Sequence, residues 1–362
     1  MALTKYRLGD LIEQRREKFD GGKDLPIRGV SRDGFIPPKQ EDADTSIYNV
    51  FYRNDFVFNP ARMELNSISM NTIFDKAICS SLYEIFYVLR KDILLSEYLN
   101  IYVKRDEFAR QCWFEAVGSA RNYFRVSNLS EFEIVLPSLP IQQKYVDIYN
   151  AMVANQQSYE RGLEDLKLVC DGYIEDLRRQ MPCEKIGKFI VEENRRNADL
   201  LINRVQGVNS AGQFGETRAD TNGLDFSNYK IVKSEQFAYN PSRINLGSIA
   251  QLHGESCIVS PMYVVFGVSN VNKLLPEYLM LWLSRREFQR STLFFAMGSV
   301  RDTFSFDLMR DVEIPIPDIK IQKSIAEIFA VYNERKSINE RLKVQIKDIC
   351  PILIKGSLEE GK

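Results

Sequence analysis

The sequence predicts an α+β protein, with two tandem mixed β-rich modules related by an approximate internal twofold and separated by a long antiparallel two-helix coiled coil. Three observations predict it. Segments recur at a near-constant shift, each copy carries short strand-like runs, and each copy closes with an apolar period of about 3.5 residues.

The repeat comes first. GSARNYF begins at Gly118 and GSVRDTF at Gly298, a shift of 180. Pro137 and Pro317, Gln142 and Gln322, and Ile148 and Ile328 keep that shift, as do LSEYL at Leu95 and LPEYL at Leu275. FNPARMELNSI and YNPSRINLGSI pair Asn59 with Asn240 and Arg62 with Arg243 at a shift of 181, and LGDLI at Leu8 pairs with IGKFI at Ile186 at 178. Solenoid repeats run at about 20–50 residues, so each copy here is the size of a domain. Chance similarity of amphipathic segments would not hold one register over separated matches.

Within each copy, IYNVF at Ile47, EIFYVL at Glu84, FEIVL at Phe132, YVVFGV at Tyr263 and DVEIPI at Asp311 read as short strands. A helix begins near Ser96 in the first copy and Pro276 in the second, serine suiting an N-cap and proline a first turn. Each copy ends in a strand, a proline break and a long helix, EIVLPSLPIQQK at Glu133 and EIPIPDIKIQK at Glu313. In the first helix Ile141, Tyr145, Ile148 and Met152 step by four, three and four, and Ile321, Ile325, Ile328 and Tyr332 step identically in the second. Leu166, Val169 and Tyr173, and Ile346, Ile349 and Leu353, resume the alternation, which is a coiled-coil seam. Between the apolar blocks Asn155 and Gly162, and Arg335 and Asn339, make the seam polar and help fix its register. Some 40 residues of helix would reach about 60 Å, and Pro351 is expected to kink or end the second helix. One such helix alone could equally pack on its own domain; two equal seams in one chain most simply pack on each other. The boundaries expected are a module over 1–140, a helix over 141–181, a module over 182–320 and a helix over 321–356.

Composition narrows the function. The 362 residues are 44% hydrophobic and 27% charged, as in an ordinary soluble protein. No apolar run approaches the roughly 20 residues of a membrane span, and MALTKYRLGD lacks a signal-peptide core. Six scattered cysteines without a CxxC pair point to reduced thiols in the cytoplasm rather than a zinc site or disulfides. With 48 basic and 49 acidic residues the net charge is −1, so a DNA-binding chain of this composition must segregate its charge or share phosphate contacts with partner subunits. Catalytic constellations are missing. His253 is the single histidine, and NPAR and NPSR lack the second proline and aromatic of an amino-methyltransferase segment. No GxxxxGK[ST] loop occurs, and no metal-ligand cluster is expected.

The order strand, proline break, IQQK or IQKSIAEIF and long helix, present twice beside the NPxR…S and GSxR segments, resembles the specificity subunit of type I restriction–modification systems. The resemblance covers the whole chain, which is short for that family and begins almost directly with the first module. It implies that the modules are target recognition domains, each reading one half of a bipartite, asymmetric sequence in double-stranded DNA. The long helices would set the gap and dock two methyltransferase subunits and two restriction subunits. S-adenosylmethionine, ATP and Mg2+ would then sit on those partners, with no cofactor on this chain. Duplicated domains on a rigid spacer suit a pseudo-twofold duplex and set half-site separation. The competing readings are a protein-binding adaptor on a coiled-coil scaffold, which the near-zero net charge favours, and a self-contained nuclease or methyltransferase.

The copies diverge between Gly29 and Tyr48 and between Gly207 and Tyr229, polar stretches containing Ser31, Arg32, Lys39, Asn209, Gln213 and Arg218. These are candidate base-reading residues, and the alternative is drift of unconstrained surface loops. Arg62 and Arg243 after the Asn-Pro turns, and Arg121 and Arg301 after the Gly-Ser turns, suit phosphate clamps or bidentate base contacts, or local ion pairs. Ser119 and Ser299 could donate to a phosphate or cap turns.

Overall fold

The computed structural model describes residues 3–22, 24–32, 34–38, 44–116, 123–217, 223–296 and 303–362. They form two compact units, Met1–Glu160 with Ser337–Lys362, and Arg161–Lys336.

In unit 1 a four-stranded antiparallel sheet runs in the order Ile12–Arg15, Glu84–Val88, Phe56–Phe58 and Ile68–Met70. Thr4–Arg7 pairs with Glu133–Leu136, Asn49–Tyr52 with Lys76–Cys79, and Gly29–Ser31 with Gly34–Ile36 as a hairpin. The central strand FVF is buried at all three residues because the sheet is covered on both faces. Phe56 and Phe58 pack with Phe86 and Phe124 in the main core, whereas Val57 and Ile85 join Val30 and Phe51 in a second core. Successive strand residues point to opposite faces, so each core takes alternate positions.

Unit 2 repeats this plan. Its four-stranded sheet runs Ile190–Glu192, Val264–Val268, Phe237–Tyr239 and Ile249–Gln251. Cys183–Lys185 pairs with Glu313–Pro315, Lys230–Val232 with Cys257–Val259, and Gln206–Val208 with Phe214–Glu216. The stacked phenylalanines recur, Phe56 on Phe86 at 4.9 Å and Phe237 on Phe266 at 4.8 Å between ring centres.

The helices Ser96–Val103 and Pro276–Leu283 begin where the sequence places them, but Ser96 is not the N-cap. Leu95 and Leu275 hold that position and offer no side-chain cap; Ser96 lies one residue inside and is buried. The cap comes from elsewhere. The fully buried Gln142 accepts the Leu95 N–H at 3.0 Å and donates to the Ile93 and Pro137 carbonyls at 2.8 and 2.9 Å. Gln322 does the same with Leu275, Lys273 and Pro317, at 2.9, 2.8 and 2.8 Å. One glutamine thus ties the start of each long helix to the loop before the inner helix. This explains why the proline break and the IQ dipeptide recur together.

The long helices run Leu139–Gln180 and Ile319–Glu360. Unit 1 holds the first part of the former and the last part of the latter, running antiparallel: Lys144 meets Glu360 at 2.8 Å and Gln156 meets Asn339 at 2.9 Å. In unit 2, Ile174 and Leu177 share a core with Ile325, and Gly162 lies against Arg335.

The packed face of the first helix lies one residue later than the sequence pattern suggests. Its buried positions are Gln142, Val146, Tyr149, Gln156, Cys170, Ile174 and Leu177, which still alternate by three and four. Ile141, Tyr145, Met152 and Leu166 are half-buried, while Ile148, Val169 and Tyr173 are exposed. The shift follows from the glutamine clamp, because turning Gln142 inward rotates the whole stripe. In the second helix Ile325 is buried, Ile346 and Ile349 pack against the unit 1 core, Ile328 and Tyr332 are half-buried, and Ile321 is exposed. The polar layer is likewise Gln156 with Asn339, not Asn155, which is exposed. Pro351 does not end the helix. Leu353 and Ile354 beyond it are buried in unit 1, and Ser357 bonds the Tyr98 hydroxyl at 2.6 Å, which offsets the hydrogen bond a proline cannot donate.

Candidate nucleic-acid interface

The NPxR…S segment is a scaffold in both units. Asn59 Oδ1 accepts the Ala61 N–H at 3.1 Å, and Asn240 Oδ1 accepts the Ser242 N–H at 3.0 Å. The Pro60 and Pro241 carbonyls each accept at 3.0 Å from Phe124 and Phe304, the chain returning from the GSxR segments. The terminal serines hold the hairpins: Ser67 donates to the Val30 carbonyl at 2.9 Å and Ser248 to the Val208 carbonyl at 2.8 Å. Hairpin, Asn-Pro turn and GSxR return are therefore fastened to one another twice over.

On this scaffold Arg62 and Arg243 are exposed, and their guanidinium groups have no hydrogen-bond or ion-pair partner among the described residues. They are free to meet an anion. Arg32 is not: it pairs with Asp106 at 2.8 Å across to the helix Asp106–Ala116. Ser31 donates to the Gly34 carbonyl at 3.2 Å inside its hairpin. Asn209 is a turn builder, its Oδ1 accepting from the Ala211 and Gln213 N–H groups at 2.9 and 3.1 Å, while the Gln213 side chain is exposed. Lys39, Ser119, Arg121, Arg218, Ser299 and Arg301 lie outside the described residues.

The structure adds residues that the sequence reading passed over. The helices Asp106–Ala116 and Arg286–Ala296 carry exposed apolar side chains at their C-terminal ends, Trp113 and Phe114 in unit 1 and Leu293, Phe294 and Phe295 in unit 2. In unit 1 a cleft of about 510 Å³ lies between hairpin, turn and helix, lined among others by Arg32, Asn66, Asp106, Arg110, Trp113 and Lys347. Asn66 is 6% exposed, and its Oδ1 is buried with no hydrogen-bond partner among the described residues. An unpaired buried acceptor costs about 1–3 kcal/mol.

The Asn66 equivalent in unit 2 is Gly247, and both adopt positive φ, 54° and 89°. Asparagine and glycine are the residues that best tolerate this conformation. A Cβ on Gly247 would lie 2.7 Å from the Ser210 carbonyl oxygen, so the unit 2 hairpin occupies the space that the Asn66 side chain takes in unit 1. The signal was present in the repeat, as NSI against GSI, but only backbone geometry gives it meaning.

No group of three or more metal-ligating side chains occurs among the described residues. The described cysteines are unpaired, and burial pushes the Cys79 thiol up to about 12 and the Cys257 and Cys350 thiols up to about 11, far from nucleophilic range. Among the described residues, no helix is long and apolar enough to cross a membrane.

Residues 207–348 match the type I restriction modification DNA specificity domain. The match spans most of unit 2 and runs on into the second long helix, and unit 1 repeats the order of strands and helices of unit 2. The specificity-subunit resemblance drawn from the sequence is thereby borne out. Among solved structures, the type I restriction–modification S subunit from M. genitalium is 12% identical with a TM-score of 0.63, covering 98% of this chain and 96% of that one. It shares the α+β architecture of β-rich units and long helices along nearly the whole length. The HsdS subunit from Thermoanaerobacter tengcongensis is 14% identical over 99% and 96% of the two chains, with a TM-score of 0.40. A chain from a type I system solved for its complex assembly and conformational transition is 14% identical over 99% and 98%, with a TM-score of 0.49. Curated protein sequences give no significant match.

Proposed function

We propose that this chain is the DNA-recognition subunit of a type I restriction–modification complex, reading a bipartite target with one half-site per unit. The observation that carries this reading is the contrast between frame and hairpin. Every backbone tie of the Asn-Pro turn is duplicated, while the hairpins it holds, Gly29–Ile36 and Gln206–Glu216, differ in sequence, length and turn chemistry. A recognition module needs this division, with a rigid frame for register and a variable element for base edges. Because the hairpins differ, the two half-sites differ and the target is asymmetric.

Arg62 and Arg243 hold DNA phosphates at equivalent places in the two half-sites. The paired long helices fix the gap between half-sites and dock two methyltransferase subunits and two restriction subunits. Those partners carry S-adenosylmethionine, ATP and Mg2+, and this chain performs no chemistry of its own. The complex works in the cytoplasm, where its DNA is. A net charge of −1 fits a subunit that borrows most of its phosphate contacts from partners.

Methylome sequencing with and without the gene tests the reading. Loss of a single bipartite adenine-methylation motif supports it, and an unchanged methylome refutes it. Exchanging residues 29–48 should then alter one half of that motif and leave the other half intact.

A further inference from the structure

Arg105 and Arg285 occupy the same place in the two copies, directly before the helices Asp106–Ala116 and Arg286–Ala296. They do different things. Arg105 folds back on its own inner helix, where Nε donates to the Tyr102 carbonyl at 3.0 Å and the guanidinium lies 3.9 Å from the Tyr102 ring centre. Arg285 reaches across to the long helix Leu139–Gln180. There Nη2 donates to Glu175 at 3.0 Å, and Nε stands 4.0 Å from Asp171. The side chain is 9% exposed, and its Nε makes no hydrogen bond among the described residues, so it forgoes the backbone bond that Arg105 keeps. The acceptors explain the choice. At the positions equivalent to Asp171 and Glu175 the second long helix carries Pro351 and Lys355, which offer Arg105 no carboxylate.

The other tie between inner helix and long helix changes in the opposite sense. In unit 1 the Tyr98 hydroxyl bonds Ser357, on the long helix Ile319–Glu360, at 2.6 Å. In unit 2 Leu177 stands at the place of Ser357, and Tyr278 turns its hydroxyl to the Pro315 carbonyl at 2.9 Å. The apolar seat is also smaller. The long helices bury Val146, Tyr149, Cys350, Leu353 and Ile354 in the unit 1 core, but Ile174, Leu177 and Ile325 in that of unit 2. Apolar contact is non-directional. A guanidinium–carboxylate hydrogen bond sets both a distance and a direction.

We propose that Arg285 is a positioning residue that fixes the angle of the unit 2 recognition module on the long helix, and with it the single gap at which the second half-site is read. The inference rests on the DNA-recognition reading. One base pair is about 3.4 Å along the duplex, so a module free to tilt by that distance meets its half-site one step out of place. Arg285 does for unit 2 what the Tyr98–Ser357 bond does for unit 1.

Methylome sequencing of Arg285→Met, Arg285→Lys and Glu175→Gln tests this, each in the full chain with its partner subunits. Glu175 is 47% exposed, so Glu175→Gln breaks the tie with little risk to folding, which a thermal melt checks. In Arg285→Met and Glu175→Gln both half-site sequences should persist. Modified sites should now include gaps one base pair longer or shorter, the preference for the native gap falling about tenfold, as for one charged hydrogen bond. Arg285→Lys keeps the charge and should restore most of that preference. A pair that only stabilises the fold would instead give fewer modified sites at one unchanged gap, and this result overturns the proposal. If the wild-type chain directs no bipartite motif, the recognition reading falls and the inference with it. A wild-type motif whose gap stays single in Arg285→Met and Glu175→Gln sinks the inference alone.

Discussion

Unit 1 and unit 2 share a frame down to single hydrogen bonds, yet they part at one left-handed residue. Where unit 2 has Gly247 the hairpin comes down onto the Asn-Pro turn, and where unit 1 has Asn66 a side chain fills that place and a cleft opens beside it. Duplication therefore preserved the ties that hold a variable hairpin, while the seat of the hairpin changed. A recognition element diverges without unfolding its domain when its anchors are backbone groups that any sequence supplies.

The strongest way to break this comparison is to attack the frame. Gln142→Leu and Gln322→Leu each strand one N–H and two carbonyls in the core. Each should lower unfolding free energy by about 2–5 kcal/mol in denaturant titrations. Losses that differ widely between the two would show that the frames are not equivalent.

Gly247→Asn in unit 2 should cost about 1–3 kcal/mol, because the new Cβ meets the Ser210 carbonyl at 2.7 Å. The reciprocal Asn66→Gly should change stability by less than about 1 kcal/mol. Thermal melts of the pair measure the asymmetry, and equal losses would refute the seating argument.

Asn339→Ala leaves Gln156 without its buried partner and should cost about 1–3 kcal/mol, read from the denaturation midpoint. Arg62→Ala and Arg243→Ala should leave stability unchanged. Each should weaken DNA binding of the assembled complex evenly across sequences and reduce the salt slope of log K by about one. A change of sequence preference instead would move these arginines from phosphate to base.

The smallest effect is in acid. Lys343 holds the Glu160 carboxyl below its ordinary value in unit 1, and Arg285 does so for Glu175 in unit 2. A depressed carboxyl contributes stability that is complete above the unfolded value of about 4.3 and is lost as pH falls through the folded one. Melting temperature should therefore decline below about pH 4.5, and Glu175→Gln should flatten the decline more than Glu160→Gln. Arg285 is only 9% exposed, whereas Lys343 is 44% exposed and its pair is screened by water.

Much of this was legible in the chain itself. The repeat, the strand runs, the inner helices at Ser96 and Pro276 and the two long helices all follow from local pattern. The seam phase of the first helix was not legible. Ile141, Tyr145 and Ile148 mimic a stripe at the right period, but an inward glutamine, unreadable as core from its side chain alone, sets the rotation. Serine at the start of the inner helix misled in the same way, since the Leu95 N–H is taken by a residue 47 positions away. At the site, the sequence names Arg32 and Asn209 as candidate base contacts, and the structure adds that Arg32 pairs with the exposed Asp106 and that the Asn209 amide oxygen builds its own turn.

The sequence by itself determined the duplication, the order of elements and the existence of two long helices, because periodicity, turn residues and internal identity are local properties. Only tertiary structure decided which helix face packs, which arginines remain free and where a cleft opens. Those outcomes depend on which distant donor meets which acceptor, and a buried polar group commits its neighbours only once the chain has brought the partner to it.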